Sequence, residues 1–228
     1  GITWSKPPTS IYYDPIGHPL HDATIDDLKT FDWPDPLDEG RTQGLREEAE
    51  TMHKDTDFAL VGDLSGVGIF ETAWLMRGLS RFMEDLLITK EFALALLRRV
   101  TDLKKALYGR FLDQVGDYLQ VIMVSDDLGM ENNLLISPEV YREMIKPFHR
   151  ELWSSIKEKT DAFLFLHSCG SIYKLIPDLI ELGVDIINPV QVAAADMDSK
   201  KLKQEFGDKL SFWGAVDTQH VLVEGSVK

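Results

Sequence analysis

The sequence predicts an α/β protein of (β/α)8 TIM-barrel type, incomplete in this chain, on three observations. Short apolar runs alternate with helical patterns from about residue 57 onward, the signature of a parallel sheet covered by helices. Polar residues gather just after those runs: Asp63, Asp126 with Asp127, His167 with Cys169, Asn188 with Gln191, and Asp217. A barrel turns all such strand ends onto one face. No Gly-rich phosphate loop is present, which disfavours the alternative, a nucleotide-binding doubly wound sheet. About five strands are visible where a closed barrel needs eight and around 250 residues, so strands are expected to be missing at one or both ends.

Taken in order, residues 1–56 are rich in Pro and Asp and read as an irregular and helical segment packed on the barrel. Within it Asp32–Pro36 is a turn and Asp38–Met52 an exposed charged helix. Residues 57–228 form the barrel portion, with strands expected at Phe58–Gly62, Leu119–Val124, Ala162–Leu166, Val184–Ile187 and Leu210–Trp213. Between them, Glu71–Leu87 carries Met76, Leu79, Met83, Leu86 and Leu87 on one face, with Gly78 inside it. Lys90–Val115 places Phe92, Leu96, Val100, Leu103, Leu107 and Phe111 at helical spacing. Ser137-Pro138-Glu139 opens a third helix that runs to about Lys159, with Ser as N-cap and Pro at the first helical position. Ser171–Leu182, closed by Gly183, and Ser199–Phe206, closed by Gly207, complete the set. The stretch from Gln219 to Lys228 reads as the start of another helix.

Composition narrows the function. With 24 Lys and Arg against 38 Asp and Glu, the formal charge is −14, which disfavours a nucleic-acid partner. No apolar run is long enough to span a membrane, and the first residues lack the apolar core of a signal peptide. A lone cysteine without a secretion signal fits the reducing cytoplasm.

The chemistry concentrates at Phe163-Leu-Phe-Leu-His167-Ser-Cys169-Gly170. Residues two apart on a strand share a face, so His167 and Cys169 converge at a strand tip. They make two of the three protein ligands of a catalytic zinc site; a half-buried His beside a core Cys is the alternative. Asp126 and Asp127 follow an apolar strand and point opposite ways, so one can enter a pocket as ligand, orienter or base while the other closes a turn. Asn188 and Gln191 are candidate substrate hydrogen-bonders, against a tight loop at Pro189. Asp217 is a candidate substrate contact or the N-cap of the next helix. Glu71 faces the pocket mouth or balances its helix dipole. His149 is placed on a helix face, His220 is a weak third-ligand candidate, and Trp74, Trp153 and Trp213 are placed in the core.

In this order, Gly68–Gly78, Asp126-Asp-Leu-Gly129, Ile136–Tyr141, Lys146-Pro-Phe148, His167-Ser-Cys-Gly170, Gly183–Pro189 and Trp213-Gly-Ala-Val-Asp217 resemble the uroporphyrinogen decarboxylase superfamily. The resemblance implies a (β/α)8 barrel and one of two chemistries. Decarboxylases of the family remove carboxyl groups from a porphyrinogen without a cofactor. Their relatives move methyl groups between a corrinoid and a thiol or an O- or N-methyl compound, with Zn²⁺ on His-x-Cys and a distant Cys. The chain carries the methyltransferase-like His167-Ser-Cys169. It lacks the decarboxylase's Arg-rich N-terminal loop, and the family's pocket Tyr falls near Leu75. The distant Cys is absent, so an Asp, Glu or His replaces it or the chain stops before it. The resemblance therefore implies a zinc methyltransferase with a corrinoid protein and a small methyl donor or acceptor as partners. The alternatives are a cofactor-free porphyrinogen decarboxylase and a non-catalytic tetrapyrrole-binding barrel. The oligomeric state, a homodimer included, is left open.

Overall fold

The protein is described by a computed structural model covering residues 1–64 and 66–226. The N-terminal segment is more ordered than its composition suggests. β1 (Thr3–Ser5) pairs antiparallel with β2 (Asp14–Gly17), and α1 (Ile25–Thr30) and α2 (Leu45–Asp55) follow. In α1 the Thr24 side chain accepts from Asp27 N while Asp27 Oδ2 accepts from Thr24 N, a reciprocal cap that holds a helix too short to persist alone. The charged helix expected over Asp38–Met52 is α2, which starts later, after a single 3₁₀ turn at Glu39–Arg41.

The barrel portion runs β3 (Val61–Asp63), α3 (Ile69–Arg77), α4 (Leu79–Leu87), α5 (Lys90–Val115), β4 (Val121–Ser125), α6 (Pro138–Val140), α7 (Lys146–Lys157), β5 (Phe163–His167), α8 (Ile176–Glu181), β6 (Ile186–Asn188), α9 (Ser199–Phe206), β7 (Ser211–Phe212) and α10 (Val221–Glu224). Strands β3 to β7 are parallel and pair in chain order without a reversal. Right-handed crossovers in an unreversed order put every helix on the same side, which is the topology of a barrel arc rather than of a doubly wound sheet. Five strands make an open arc of a (β/α)8 barrel.

The two faces of the arc differ. Ile122, Val124, Leu164, Leu166 and Ile187 point outward into the main core beneath α3, α5 and α7. Val121, Phe165 and Ile186 point inward with Met123 and form a small separate cluster. Around it Val61, Phe163 and Trp213 are 46, 60 and 52% exposed. Trp213 therefore does not lie in the core as expected. It packs edge-on against Phe165, 5.5 Å between centroids, on the open inner face.

The strands start one to three residues later than their apolar runs. Ala162, Val184 and Leu210 are apolar because they pack under the helices, not because they pair. The ladder instead continues into the polar residues, which end β3, β4, β5 and β6 as Asp63, Ser125, His167 and Asn188. The helix expected from Glu71 to Leu87 is two helices, because Gly78 takes φ 91°, ψ 134°, outside helical space and open to glycine. Arg77, 3% exposed, spans the break: it donates to Asp85 Oδ2 at 2.7 Å and to the Leu20 and Ala23 carbonyls, and lies 3.8 Å over the Phe92 ring. That buried guanidinium ties the N-terminal segment to the helical layer. Ser137 caps α6 as expected, accepting from Val140 N. Between α6 and α7 the chain makes a π-helical turn at Tyr141–Ile145. The segment expected as a helix from Ser171 is a 3₁₀ turn at Tyr173–Leu175 followed by α8. Gly183 does take the left-handed conformation there, φ 85°, whereas Gly207 is right-handed. The expected terminal helix is the short α10; its last two expected residues, Val227 and Lys228, lie outside the described residues. Among the described residues no helix is long and apolar enough to cross a membrane.

Candidate metal centre

His167 ends β5 on the inner face, in register with Ser125 of β4 and Asn188 of β6. Its Nδ1 lies 2.6 Å from Asn188 Oδ1. The orientation of that amide follows from its other end, since Asn188 Nδ2 donates to the Trp213 carbonyl at 2.9 Å and a carbonyl can only accept. Asn188 Oδ1 must then accept, so His167 carries its proton on Nδ1 and presents the Nε2 lone pair. This is the tautomer that an outer partner imposes on a metal-binding imidazole. Cys169 Sγ lies 3.5 Å from that nitrogen. Bonds of about 2.05 Å to nitrogen and 2.3 Å to sulfur at a tetrahedral angle require an edge of about 3.6 Å. The pair already stands at that spacing.

Asp127 supplies a third group. Its Oδ1 accepts from Cys169 N at 2.8 Å, which takes one of the carboxylate's lone pairs. Ligand atoms of Asp127, His167 and Cys169 all lie within 4.8 Å of one another. Two glycines allow this approach. A Cβ on Gly129 would come within 2.8 Å of Cys169 O, and one on Gly170, at φ 80°, within 2.5 Å of Gly129 C. The loops after β4 and β5 therefore cross backbone to backbone, and any larger residue there separates Asp127 from Cys169. Glu71 Oε2 accepts from Asp127 N at 3.3 Å. Burial, then the charges of Asp126 and Asp127, pushes the Glu71 carboxyl up to about 7. Burial, then Asp127, pushes the Cys169 thiol up to about 12. Both shifts report a partly buried pocket with surplus negative charge, and such a pocket favours a cation.

Asp126 lies behind this pocket. It is fully buried; Oδ1 accepts from Glu71 N, and Oδ2 from Phe70 N and from His149 Nε2, each at 2.8 Å. It thus satisfies the open N–H groups at the start of α3 and points Glu71 toward Asp127. His149 lies within a helix, α7, as expected, but on its buried side, 1% exposed. Its Nδ1 meets the Tyr141 hydroxyl at 3.1 Å, and its ring stacks on Trp153 at 4.4 Å between centroids. His149 stands three, four and seven residues before Leu152, Trp153 and Ile156, all buried, so helical spacing within α7 itself puts it on the core face.

The remaining candidates gather on the other side of Cys169. A cavity of about 230 Å³ there is lined by Cys169, Pro189, Val190, Gln191, Val216 and Asp217 among others. Gln191 Oε1 accepts from Gly170 N at 2.9 Å. Gln191 Nε2 and Gln219 Nε2 both donate to Glu131 Oε1 at 2.8 Å. Glu131 carried no signal in the sequence, because only the crossing of three loops brings it there. Asp217 accepts from Gln219 N and His220 N, which lowers its pKa and makes it a turn cap at the cavity wall. His220 is exposed and stands outside the Asp127, His167 and Cys169 group.

This fold and this group define a barrel protein whose inner face gathers an Asp, a His and a Cys that could hold a metal ion. The chain belongs to the uroporphyrinogen decarboxylase family, whose profile, Uroporphyrinogen decarboxylase (URO-D), matches residues 12–228. It is 25% identical over 230 residues to the methylated-thiol–coenzyme M methyltransferase of Methanosarcina mazei, a match covering 99% of this chain and 56% of that protein. The chain thus spans about half the length of this relative. A solved methyltransferase structure from Methanosarcina mazei superposes with a TM-score of 0.63 at 18% identity, covering 99% of this chain and 63% of that one. The superposition shows the shared fold.

Proposed function

We propose that the protein works as a zinc-dependent methyltransferase, moving a methyl group between a small thiol or methylated sulfur, oxygen or nitrogen compound and a corrinoid carried by a partner protein. The observation that carries this reading is the 3.5 Å spacing of His167 Nε2 and Cys169 Sγ, with Asp127 alongside. In it, His167, Cys169 and Asp127 are the three protein ligands, and Asp127 takes the place of the family's distant cysteine. A zinc ion held there supplies Lewis acidity, keeping a substrate thiol deprotonated at neutral pH or drawing electron density from a methylated heteroatom. Asn188 fixes the imidazole tautomer, and Glu71 holds the Asp127 backbone. The cavity of about 230 Å³ beside Cys169 takes the small substrate, with Gln191 and Asp217 in its wall. The corrinoid protein docks over the strand ends, where the methyl group is exchanged. The relative, a methylated-thiol–coenzyme M methyltransferase, supports the same reading.

Elemental analysis of the purified protein tests it. The expected result is about one equivalent of zinc in the wild type, lost in Cys169→Ser and His167→Ala. Metal-free protein in all three, together with carboxyl loss from a porphyrinogen measured by mass, overturns it in favour of decarboxylation.

A further inference from the structure

A second cavity, of about 270 Å³, lies on the outer side of the sheet and is separate from the metal-ligand group. Arg41, Lys104, Tyr108, Arg110, His149 and Trp153 are among its lining residues, and no Asp or Glu is, among the described residues. Much of the rest of its wall is hydrocarbon, including Leu107 and Leu152. Three cationic side chains thus face one small apolar space.

Arg41, exposed, donates its Nε to the Asp35 carbonyl at 2.9 Å, but the hydrogen-bonding capacity of Lys104 and Arg110 is largely unused. Lys104 Nζ donates to the Val67 carbonyl at 2.5 Å, which occupies one of three donors on a partly buried ammonium. Burial pulls the Lys104 pKa down, against the pull of Asp126 and Glu71. Neither carboxylate serves as its counterion by contact. Asp126 is engaged with Phe70 N, Glu71 N and His149, and Glu71 with Asp127 N. Arg110 makes no hydrogen bond among the described residues, and its Nε is buried without a partner. Tyr108 donates its hydroxyl proton to Met123 O at 3.0 Å, leaving the phenolic oxygen as an acceptor only. Asp63 lies near Tyr108 but outside the cavity wall. A desolvated Arg N–H without an acceptor is costly unless something supplies one.

We propose that this cavity binds a small organic acid, with its carboxylate on Lys104 and Arg110 and its hydrocarbon body against Trp153. A carboxylate matches the planar guanidinium fork, and the apolar wall suits a single ring or short chain better than a fully hydrated inorganic anion. The proposal does not depend on the metal centre, because none of the metal-ligand residues lines the cavity.

The test is calorimetric titration of the full chain with benzoate, benzyl alcohol and inorganic phosphate at low salt. Saturable benzoate binding is expected, with benzyl alcohol and phosphate each weaker by at least about tenfold. Arg110→Gln should weaken benzoate by at least about tenfold while Arg110→Lys retains part of the affinity. Because Arg110 has no internal hydrogen bond to lose, its substitution leaves the fold intact, and thermal unfolding checks this. Lys104→Met serves as a second variant, expected to give the same loss. No benzoate binding, equal binding of benzyl alcohol, preference for phosphate, or full benzoate affinity in Arg110→Gln would each overturn the proposal.

Discussion

Asp126 and Asp127 are consecutive, chemically identical, and lead opposite lives on the two sides of one sheet. On the outer side the Asp126 carboxylate is sealed, with two backbone N–H groups and an imidazole on its two oxygens. On the inner side the Asp127 carboxylate spends one lone pair on Cys169 N and faces an imidazole lone pair and a thiol. The first arrangement is complete without any ligand; the second gathers an imidazole nitrogen, a thiol and a carboxylate that share only the thiol's proton. Satisfaction of lone pairs, more than residue type, separates a carboxylate that holds the fold from one fit to hold a metal.

The comparison can be broken most forcefully from the sealed side. Asp126→Ala strips the acceptor from His149 and from the first turn of α3, where the Asp126 and His149 side chains are both buried. Removing one partner of such a buried pair costs about 3–5 kcal/mol, read as a lower denaturant midpoint. A loss near zero would mean the outer network is not structural. On the open side the expectation inverts. Asp127→Asn keeps an oxygen for Cys169 N, so metal-free stability should change by less than about 1 kcal/mol. Zinc affinity, by competition with a chelator, should fall by at least about 100-fold, since even outer partners of a metal ligand are worth 10–100-fold. Asn188→Ala tests one such outer partner. It removes the acceptor that holds the His167 proton on Nδ1, and an affinity loss of about 10–100-fold is expected. An unchanged affinity would show that the tautomer is not set by Asn188.

How much of this was legible in the sequence follows the same division. The parallel strands, their order and the Ser137 cap rest on local patterns of apolarity and turn chemistry, which a sequence carries directly. His167 and Cys169 were legible because a period of two is a local rule. The π turn at Tyr141–Ile145 was not, whereas the burial of His149 was, in its helical spacing from Leu152, Trp153 and Ile156, although a histidine there reads as a surface residue. Asp126 and Asp127 were both candidates to enter the pocket, but that Asp127 is the one beside the pair was not legible, since it depends on Gly129 and Gly170 letting two loops cross. Asn188 looked like a substrate contact, but its partners, Trp213 O and His167 Nδ1, come from two other strands or their ends. Contacts between loops of distant sequence have no periodicity to betray them.

The finest test of the open side is its pH dependence. In the metal-free protein the Cys169 thiol is raised to about 12, so at neutral pH it carries its proton. A bound zinc requires the thiolate, so each binding event releases that proton. Mass action then makes zinc affinity rise with pH, by about tenfold per unit between pH 8 and 9. The opposite sign is excluded, because protons compete with the metal for the same sulfur. Glu71, raised to about 7, is largely protonated below that pH and ionises beside a bound cation. It releases a second proton there, so the profile is steeper around pH 6–7 than above pH 8. Glu71→Gln has no such proton, so its profile should lose the added steepness near neutrality and keep the slope at higher pH. A profile flat across pH 8–9 in the wild type would show that the thiol is not a ligand, and the contrast between the two aspartates would then lose its functional half.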